Sequence, residues 1–227
     1  MFDFITAGGF LMLPIILSSF LAIVVIVNLF LTLQRKKVIP ENASDMARKL
    51  ALSGKMTEAH IEQVRQGSLL GQVLAAGLES VGSPRHLMKE NIEETGRHVI
   101  HSMDKYMTTL GTIAAIAPLL GLLGTVVGMI SVFSVITSQG VGNPTELAGG
   151  ISQALITTAA GISVAVPALV FHRYFRGKIN DYAVEMEKEA IKLVDAVSAP
   201  RKAAPMAAAQ RPAMNPNAQK VRGGRVA

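Results

Sequence analysis

Charged residues along this chain are confined to a few blocks, and long apolar stretches lie between them. Residues 106–171 contain a single charged side chain, Glu146, and residues 1–34 contain only Asp3. A bilayer enforces such segregation, because an unpaired charge near its centre costs at least about 2.5–3.5 kcal/mol. The pattern therefore predicts an integral membrane protein, and the apolar spacing predicts that it is all-α.

Three apolar segments, residues 10–33, 106–137 and 147–171, are long enough to cross a membrane. At about 1.5 Å per residue, each exceeds the roughly 30 Å thickness of the hydrocarbon core. The residues before the first segment include no Lys or Arg, and no small-residue cleavage site follows it. We therefore expect this segment to be a retained span and not a signal peptide.

The distribution of cations predicts an orientation. Cations follow the first span at residues 35–37 and the third span at residues 172–178, whereas residues 138–146 contain none. Because cytoplasmic loops are enriched in Lys and Arg, the N-terminus is predicted to be periplasmic and the C-terminus cytoplasmic. The predicted organisation is an outer N-terminus with helix one (1–34), a cytoplasmic helical region (35–105), helix two (106–137), an outer turn (138–146), helix three (147–171), a cytoplasmic helix (172–198) and a disordered basic tail (199–227).

The cytoplasmic parts also show helical spacing. Ser83-Pro84 predicts a helix start with Ser as N-cap and Pro at the first helical position. Apolar residues then recur without a break from Met88 to Leu110, which predicts one helix of about 50 residues that continues into the membrane. A similar pattern extends the third span as far as Val197. Short amphipathic helices are predicted at 44–52, 57–66 and 68–81, with faces that pack on the long helices or, alternatively, dock a partner.

Charge and composition exclude several function classes. The net charge of +6 resides in residues 199–227, which carry six cations and no acid, so the rest of the chain is neutral. A solvated tail is favoured over one attracted to anionic lipid, and nucleic acid is not expected as a partner. His98 and His101 lie three residues apart without a third ligand, so no metal site is predicted. No nucleophile–base pair or phosphate loop indicates an enzyme or a cofactor.

The second and third spans carry small residues at helical spacing. Because glycine lets backbones approach closely, such faces drive helix association in membranes. We predict helix packing at Gly121, Gly124, Gly128, Gly150 and Gly161.

The same two spans carry polar side chains. A membrane Ser or Thr commonly bonds a carbonyl of its own helix, but seven polar residues on two adjacent spans leave a polar pathway equally open. The candidates for such a lining are Thr125, Ser131, Gln153, Thr157 and Thr158, with Ser134 and Ser163 nearby. Glu146 lies in the outer turn, where Asn143-Pro144 precedes it, and a capping role is favoured over ion binding. Proton conduction would therefore require a titratable group from another chain.

Two motifs resemble a known family. LLGLLGTV at residues 119–126 and GISQALITTAAG at residues 150–161 are similar to the MotA/TolQ/ExbB proton-channel family, most like ExbB, and the three-span layout is that of ExbB or TolQ and not of the flagellar member. The resemblance implies an inner-membrane homo-oligomer, typically a pentamer, whose second and third spans line a pore. It also implies an ExbD-like single-span partner that supplies a membrane Asp and a TonB-like energy transducer. The family's pore threonines match Thr125 and Thr158.

One position departs from the family pattern. Several relatives carry Glu where this chain has Gln153, and an amide cannot exchange a proton, so a hydrogen-bonding role is what the resemblance leaves for it. The leading hypothesis is a proton-conducting stator subunit that couples the proton-motive force to TonB-dependent outer-membrane transport. The alternatives are a TolQ-like subunit for envelope integrity and a membrane scaffold that conducts nothing.

Overall fold

The computed structural model describes residues 8–53, 56–140 and 144–198. These residues contain helices and no strand, and three of the helices are long and apolar enough to cross a membrane. The prediction of an all-α protein with three candidate spans is confirmed. Within the described residues the helices are α1 (Met12–Thr32), α2 (Arg35–Val38), α3 (Ala43–Ser53), α4 (Glu58–Gly67), α5 (Leu69–Glu79), α6 (Arg85–Asp104), α7 (Met107–Gln139) and α8 (Pro144–Ser198). The predicted basic tail and the predicted Asn143 cap lie outside the described residues.

The start of α6 differs from the sequence prediction by one residue. Pro84 was expected at the first helical position, but its ψ of 142° is extended, and the helix begins at Arg85. Pro84 therefore occupies the N-cap position, and its carbonyl accepts the N–H of Met88 at 3.2 Å. The prediction of Ser83 as N-cap is wrong, because Pro84 holds that position; the Ser83 N–H donates to the Ser80 carbonyl in the turn that precedes the helix.

The predicted 50-residue helix is present as one helical span from Arg85 to Ser138, and an interruption of its hydrogen bonding at Lys105 and Tyr106 divides it into α6 and α7. Both joining residues remain in the right-handed helical region of backbone space, with φ of −48° and −92°. The chain thus changes its hydrogen bonding at this junction without reversing direction. By contrast, α8 is continuous over 55 residues, so the third span and the segment after it form a single helix.

The apolar helices α1, α7 and α8 pack together along their length. Their remaining surfaces expose large apolar side chains, including Phe20, Leu119, Phe133 and Leu155. Exposed apolar area of this extent is what a lipid-facing helix presents, because lipid tails are as apolar as leucine.

The polar half of the bundle is built around the second half of α8. The short helices α3 and α5 pack on α8, and α6 lies beside both α5 and α8. Leu70, Leu74 and Leu78 of α5 are buried, as their spacing predicts. Arg85 at the start of α6 pairs with Asp195 near the end of α8.

Contacts between the end of α1 and the middle of α8 fix the position of the first span. The ring of Phe30 meets Phe171 and Phe175 edge-on, at centroid distances of 5.7 and 4.9 Å. The buried Tyr182 hydroxyl donates to the Leu33 carbonyl at 3.0 Å. The hydroxyl thereby satisfies a carbonyl at the end of α1 that has no partner within the helix.

Candidate functional site

Glycines form the contact between α7 and α8. A methyl group added to Gly161 would lie 2.5 Å from the Ala117 carbonyl oxygen and 3.0 Å from the Gly121 backbone. One added to Gly121 would lie 3.1 Å from the Thr158 Cα. These neighbours are backbone atoms, which cannot rotate away as a flexible side chain can. The two helices therefore meet backbone to backbone at this level.

The same close approach continues along the pair. A methyl group on Gly128 would lie 2.8 Å from the Ala154 Cβ and 3.0 Å from the Gly150 carbonyl oxygen. One on Gly150 would collide with Val132, 2.5 Å from its Cγ2. The small residues predicted to mediate packing thus face one another within a single chain.

Thr157 lies at the centre of this contact. Its side chain occupies the space where a Cβ of Gly124 would be, and the residue is 1% exposed. Its hydroxyl donates to carbonyls of its own helix, to Ala154 at 2.9 Å and to Gln153 at 3.0 Å. Within this chain Thr157 therefore fills the helix contact and does not face an open surface.

Thr158 hydrogen-bonds across the helix pair. Its Oγ1 lies 3.0 Å from the Gly121 carbonyl on α7 and 3.2 Å from the Ala154 carbonyl on its own helix. The side chain is only partly buried. The hydroxyl thus lies at the edge of the contact, where a group from outside the chain can approach it.

Thr125 lies one helical turn beyond Gly121, about 6 Å further along α7. Its hydroxyl bonds the Leu122 carbonyl of its own helix at 2.6 Å, and the side chain remains partly exposed. Ser131, by contrast, is exposed on α7. Thr158 is thus bonded to Gly121 from α8, and Thr125 lies one turn from Gly121 on α7; both are partly exposed.

Gln153 faces a different neighbour. Its side-chain amide lies against the Cα of Gly9, in the segment that precedes α1, at a point where any Cβ would overlap it. Gly9 has a φ of +69°, a conformation that glycine adopts without strain. Thr158 lies five residues after Gln153, about 140° around the helix, so the two side chains point to different sides of α8.

The α1 contacts define these sides. Phe171 lies eighteen residues, or about five full turns, after Gln153, so it shares the face of Gln153 and meets Phe30 of α1. Thr158 is turned away from that face. The structure thus separates the candidate polar residues into an α1-facing position (Gln153), a central position (Thr157) and an edge position away from α1 (Thr158).

The number of ionisable groups limits the chemistry that this region can carry out. Residues 107–171 carry one, Glu146, and it lies in the first turn of α8. Threonine hydroxyls can donate and accept hydrogen bonds, but they do not exchange protons near neutral pH. The helix pair can therefore align water or an acid from another chain, but at the level of the threonines it holds no side chain that exchanges a proton near neutral pH.

Comparison with known proteins identifies the family. The sequence profile of the MotA/TolQ/ExbB proton channel family matches residues 65–188, which is more than half of the chain and includes the whole α7–α8 contact. The chain belongs to this family. It is accordingly a multi-pass membrane protein of a channel family, with α1, α7 and α8 as its candidate spans.

Two relatives carry similar names. The biopolymer transport protein ExbB of Aquifex aeolicus is 32% identical over 114 residues, which cover 50% of this chain and 76% of that protein. The putative biopolymer transport protein ExbB-like 1 of Synechocystis is 31% identical over 169 residues, which cover 73% of this chain and 66% of that protein. These relatives support the resemblance to ExbB that the sequence motifs predict.

Proposed function

We propose that this chain is the proton-conducting stator subunit of an ExbB-like energising complex in the inner membrane. In this proposal the complex couples proton flow to TonB-dependent transport across the outer membrane. Family membership and the ExbB names of two relatives support the general class. The observation that carries the proposal is the Thr158 hydroxyl, which bridges to the Gly121 carbonyl on α7 while remaining partly exposed at the edge of the helix pair.

The proposed pathway runs along that edge. Thr125 and Thr158 would hold water or a carboxyl group through their hydroxyl oxygens, which keep acceptor capacity after donating to backbone carbonyls. Gln153 and Thr157 would instead support the site, Gln153 by filling the space beside Gly9 and Thr157 by filling the space beside Gly124. Ser131 is exposed on α7 and is available to an adjacent subunit.

The proposed assembly is a homo-oligomer, a pentamer by family resemblance, with an ExbD-like single-span partner in its pore. A partner is required because the α7–α8 pair lacks an acid at membrane depth. The partner's Asp would bind the proton, and a TonB-like transducer would receive the resulting motion. The cation distribution supports a periplasmic N-terminus and a cytoplasmic C-terminus, with α6 and the second half of α8 in the cytoplasm.

Substitution of Thr158 by Val tests this function. Val keeps the branched shape, and the lost interhelical hydrogen bond is typically worth only about 0.6 kcal/mol in membranes. We expect the oligomer and its partner to copurify normally, while proton flux in proteoliposomes and energised uptake are largely lost. Thr112→Val is the matched control, because the exposed Thr112 bonds only the Thr108 carbonyl of its own helix.

Two outcomes would contradict the proposal. A Thr158→Val complex that conducts like the wild type would remove Thr158 from the pathway and favour a scaffold. Copurification of a TolA-like transducer in place of a TonB-like one, with envelope defects and normal uptake on deletion, would assign the chain to a TolQ-like role.

A further inference from the structure

His172 lies at the end of the α7–α8 contact that is opposite to Glu146. Residues 107–172 contain two ionisable side chains, Glu146 and His172, and these are separated by 26 residues of α8, about 39 Å. Imidazole is the side chain whose charge ordinarily changes between about pH 5 and pH 8, so it can bind and release protons under cellular conditions.

The His172 ring packs on the backbone of α7 at Gly111. A methyl group on Gly111 would lie 3.0 Å from the His172 Nε2 and 3.2 Å from its Cδ2. Glycine at this position thus provides the space in which the imidazole lies, and the ring is partly buried against α7. A histidine that merely ended the span could point into solvent, whereas this ring lies against the α7 helix at Gly111.

His172 also shares an edge with the two threonines. Thr158, Ala165 and His172 recur every seven residues on α8, and residues at that spacing lie on one face. Gly111, Pro118 and Thr125 recur every seven residues on α7 in the same way. His172 contacts Gly111 of this α7 face, and Ala165, midway along the α8 face, is buried. We call the two faces together the threonine edge.

We propose that His172 exchanges the conducted proton with the aqueous phase at the basic end of the threonine edge. This inference rests on the proposed proton-conducting function. A proton arriving along the edge binds a free ring nitrogen of neutral imidazole, and the resulting imidazolium releases a proton to water. The ring returns to its neutral form, so no other reactant is consumed. Thr158 lies about 21 Å away along the helix, so water or a partner helix along the edge must connect them.

The charged surroundings of His172 are simple. The packed segments Met12–Thr32 and Met107–Gln139 contain no charged residue. The charged groups nearest along the chain are Arg173 and Arg176 on α8, and Asp104 and Lys105 at the α6–α7 junction. Arg35, beyond the end of α1, is paired with Glu185 at 2.6 Å.

The pH dependence of proton flux tests the inference. The complete complex, purified with its partner, is reconstituted in vesicles and driven by a potassium diffusion potential, with equal pH on both sides between about pH 5 and pH 8. We expect His172→Gln to remove the pH-dependent component of flux that wild type shows in this window. His101→Gln, at an exposed histidine on α6, is the matched control and should keep the wild-type profile.

Chemical rescue separates a proton-exchanging role from a structural one. His172→Ala leaves a space beside Gly111, and free imidazole added to the buffer should restore flux to this variant. The inference would be overturned by a wild-type flux that does not change across this window, by a His172→Gln profile that superimposes on wild type, or by a failure of imidazole to restore His172→Ala. Thr158→Val in the same assay keeps the two proposals distinct, because its loss of flux alongside a normal His172→Gln profile would remove only the role of His172.

Discussion

Replacement of Gly161 by Ala provides a quantitative test of the α7–α8 contact. The added methyl group would lie 2.5 Å from the Ala117 carbonyl oxygen, whereas ordinary contact begins near 3.4 Å, so the backbones must separate by up to about 0.9 Å. Gly121 backbone atoms lie 3.0 Å from the same methyl group. Because these neighbours are backbone atoms, the overlap can be relieved only by moving the two helices apart.

The expected magnitude follows from two opposing effects. Overpacking of a tight contact typically costs about 1–3 kcal/mol. Replacing Gly by Ala inside a helix contributes up to about 1 kcal/mol in the stabilising direction. Separation of the two helices also lengthens the hydrogen bond from Thr158 to the Gly121 carbonyl, a bond typically worth about 0.6 kcal/mol in membranes. We therefore expect Gly161→Ala to lower the free energy of unfolding by about 1–2 kcal/mol, and Gly161→Leu to lower it further.

Gly149→Ala is the matched control. Gly149 lies on the same helix, and a methyl group there would meet nothing within 4 Å, so helix propensity alone acts. The measurement is the unfolding free energy in detergent micelles, followed by circular dichroism, with native mass spectra to record the oligomer. A Gly161→Ala protein that is as stable as Gly149→Ala would refute the backbone contact described above.

Two further predictions concern the first span. Tyr182→Phe should lower the unfolding free energy by about 1–3 kcal/mol, because the Leu33 carbonyl loses its buried donor. Tyr174→Phe, at an exposed ring, is the control and should leave the unfolding free energy nearly unchanged. Gly9→Ala should lower the melting temperature more than Gly140→Ala. Both glycines have a positive φ, so alanine at either position costs about 1–2 kcal/mol of backbone strain, but only Gly9 also abuts Gln153. Equal melting temperatures for the two alanine variants would contradict the Gln153 contact.

The sequence pattern was sufficient for the helices. Charge segregation locates α1, α7 and α8, because a bilayer penalises charge at every exposed position of a span. Apolar spacing locates the buried face of α8, where Ile179, Met186 and Leu193 are buried as expected. The helix start was less accurate at Pro84, where local turn bonding, and not apolar spacing, decides where the helix begins.

Contacts between distant segments could not be predicted from spacing. Gln153 packs on Gly9, and the Tyr182 hydroxyl bonds Leu33, each about 150 residues away in the chain. A helical period specifies which side chains share a face, but it does not specify which helix covers that face. For this reason the sequence alone predicts one lining that contains both Gln153 and Thr158, whereas the structure places them on different sides of α8.

The glycine contact determines where a pathway can lie. Between Gly121 and Gly161 the backbones of α7 and α8 meet closely, so water cannot pass through the middle of the pair. Polar groups that serve conduction must therefore lie at an edge of the contact, where another helix can complete the lining. Thr125, Thr158 and His172 meet this condition, and Thr157 does not, because its hydroxyl is enclosed beside Gly124. The tight packing and the proposed pathway are thus two consequences of one arrangement: glycine brings the helices together, and the residues that border the contact are left to face the partner.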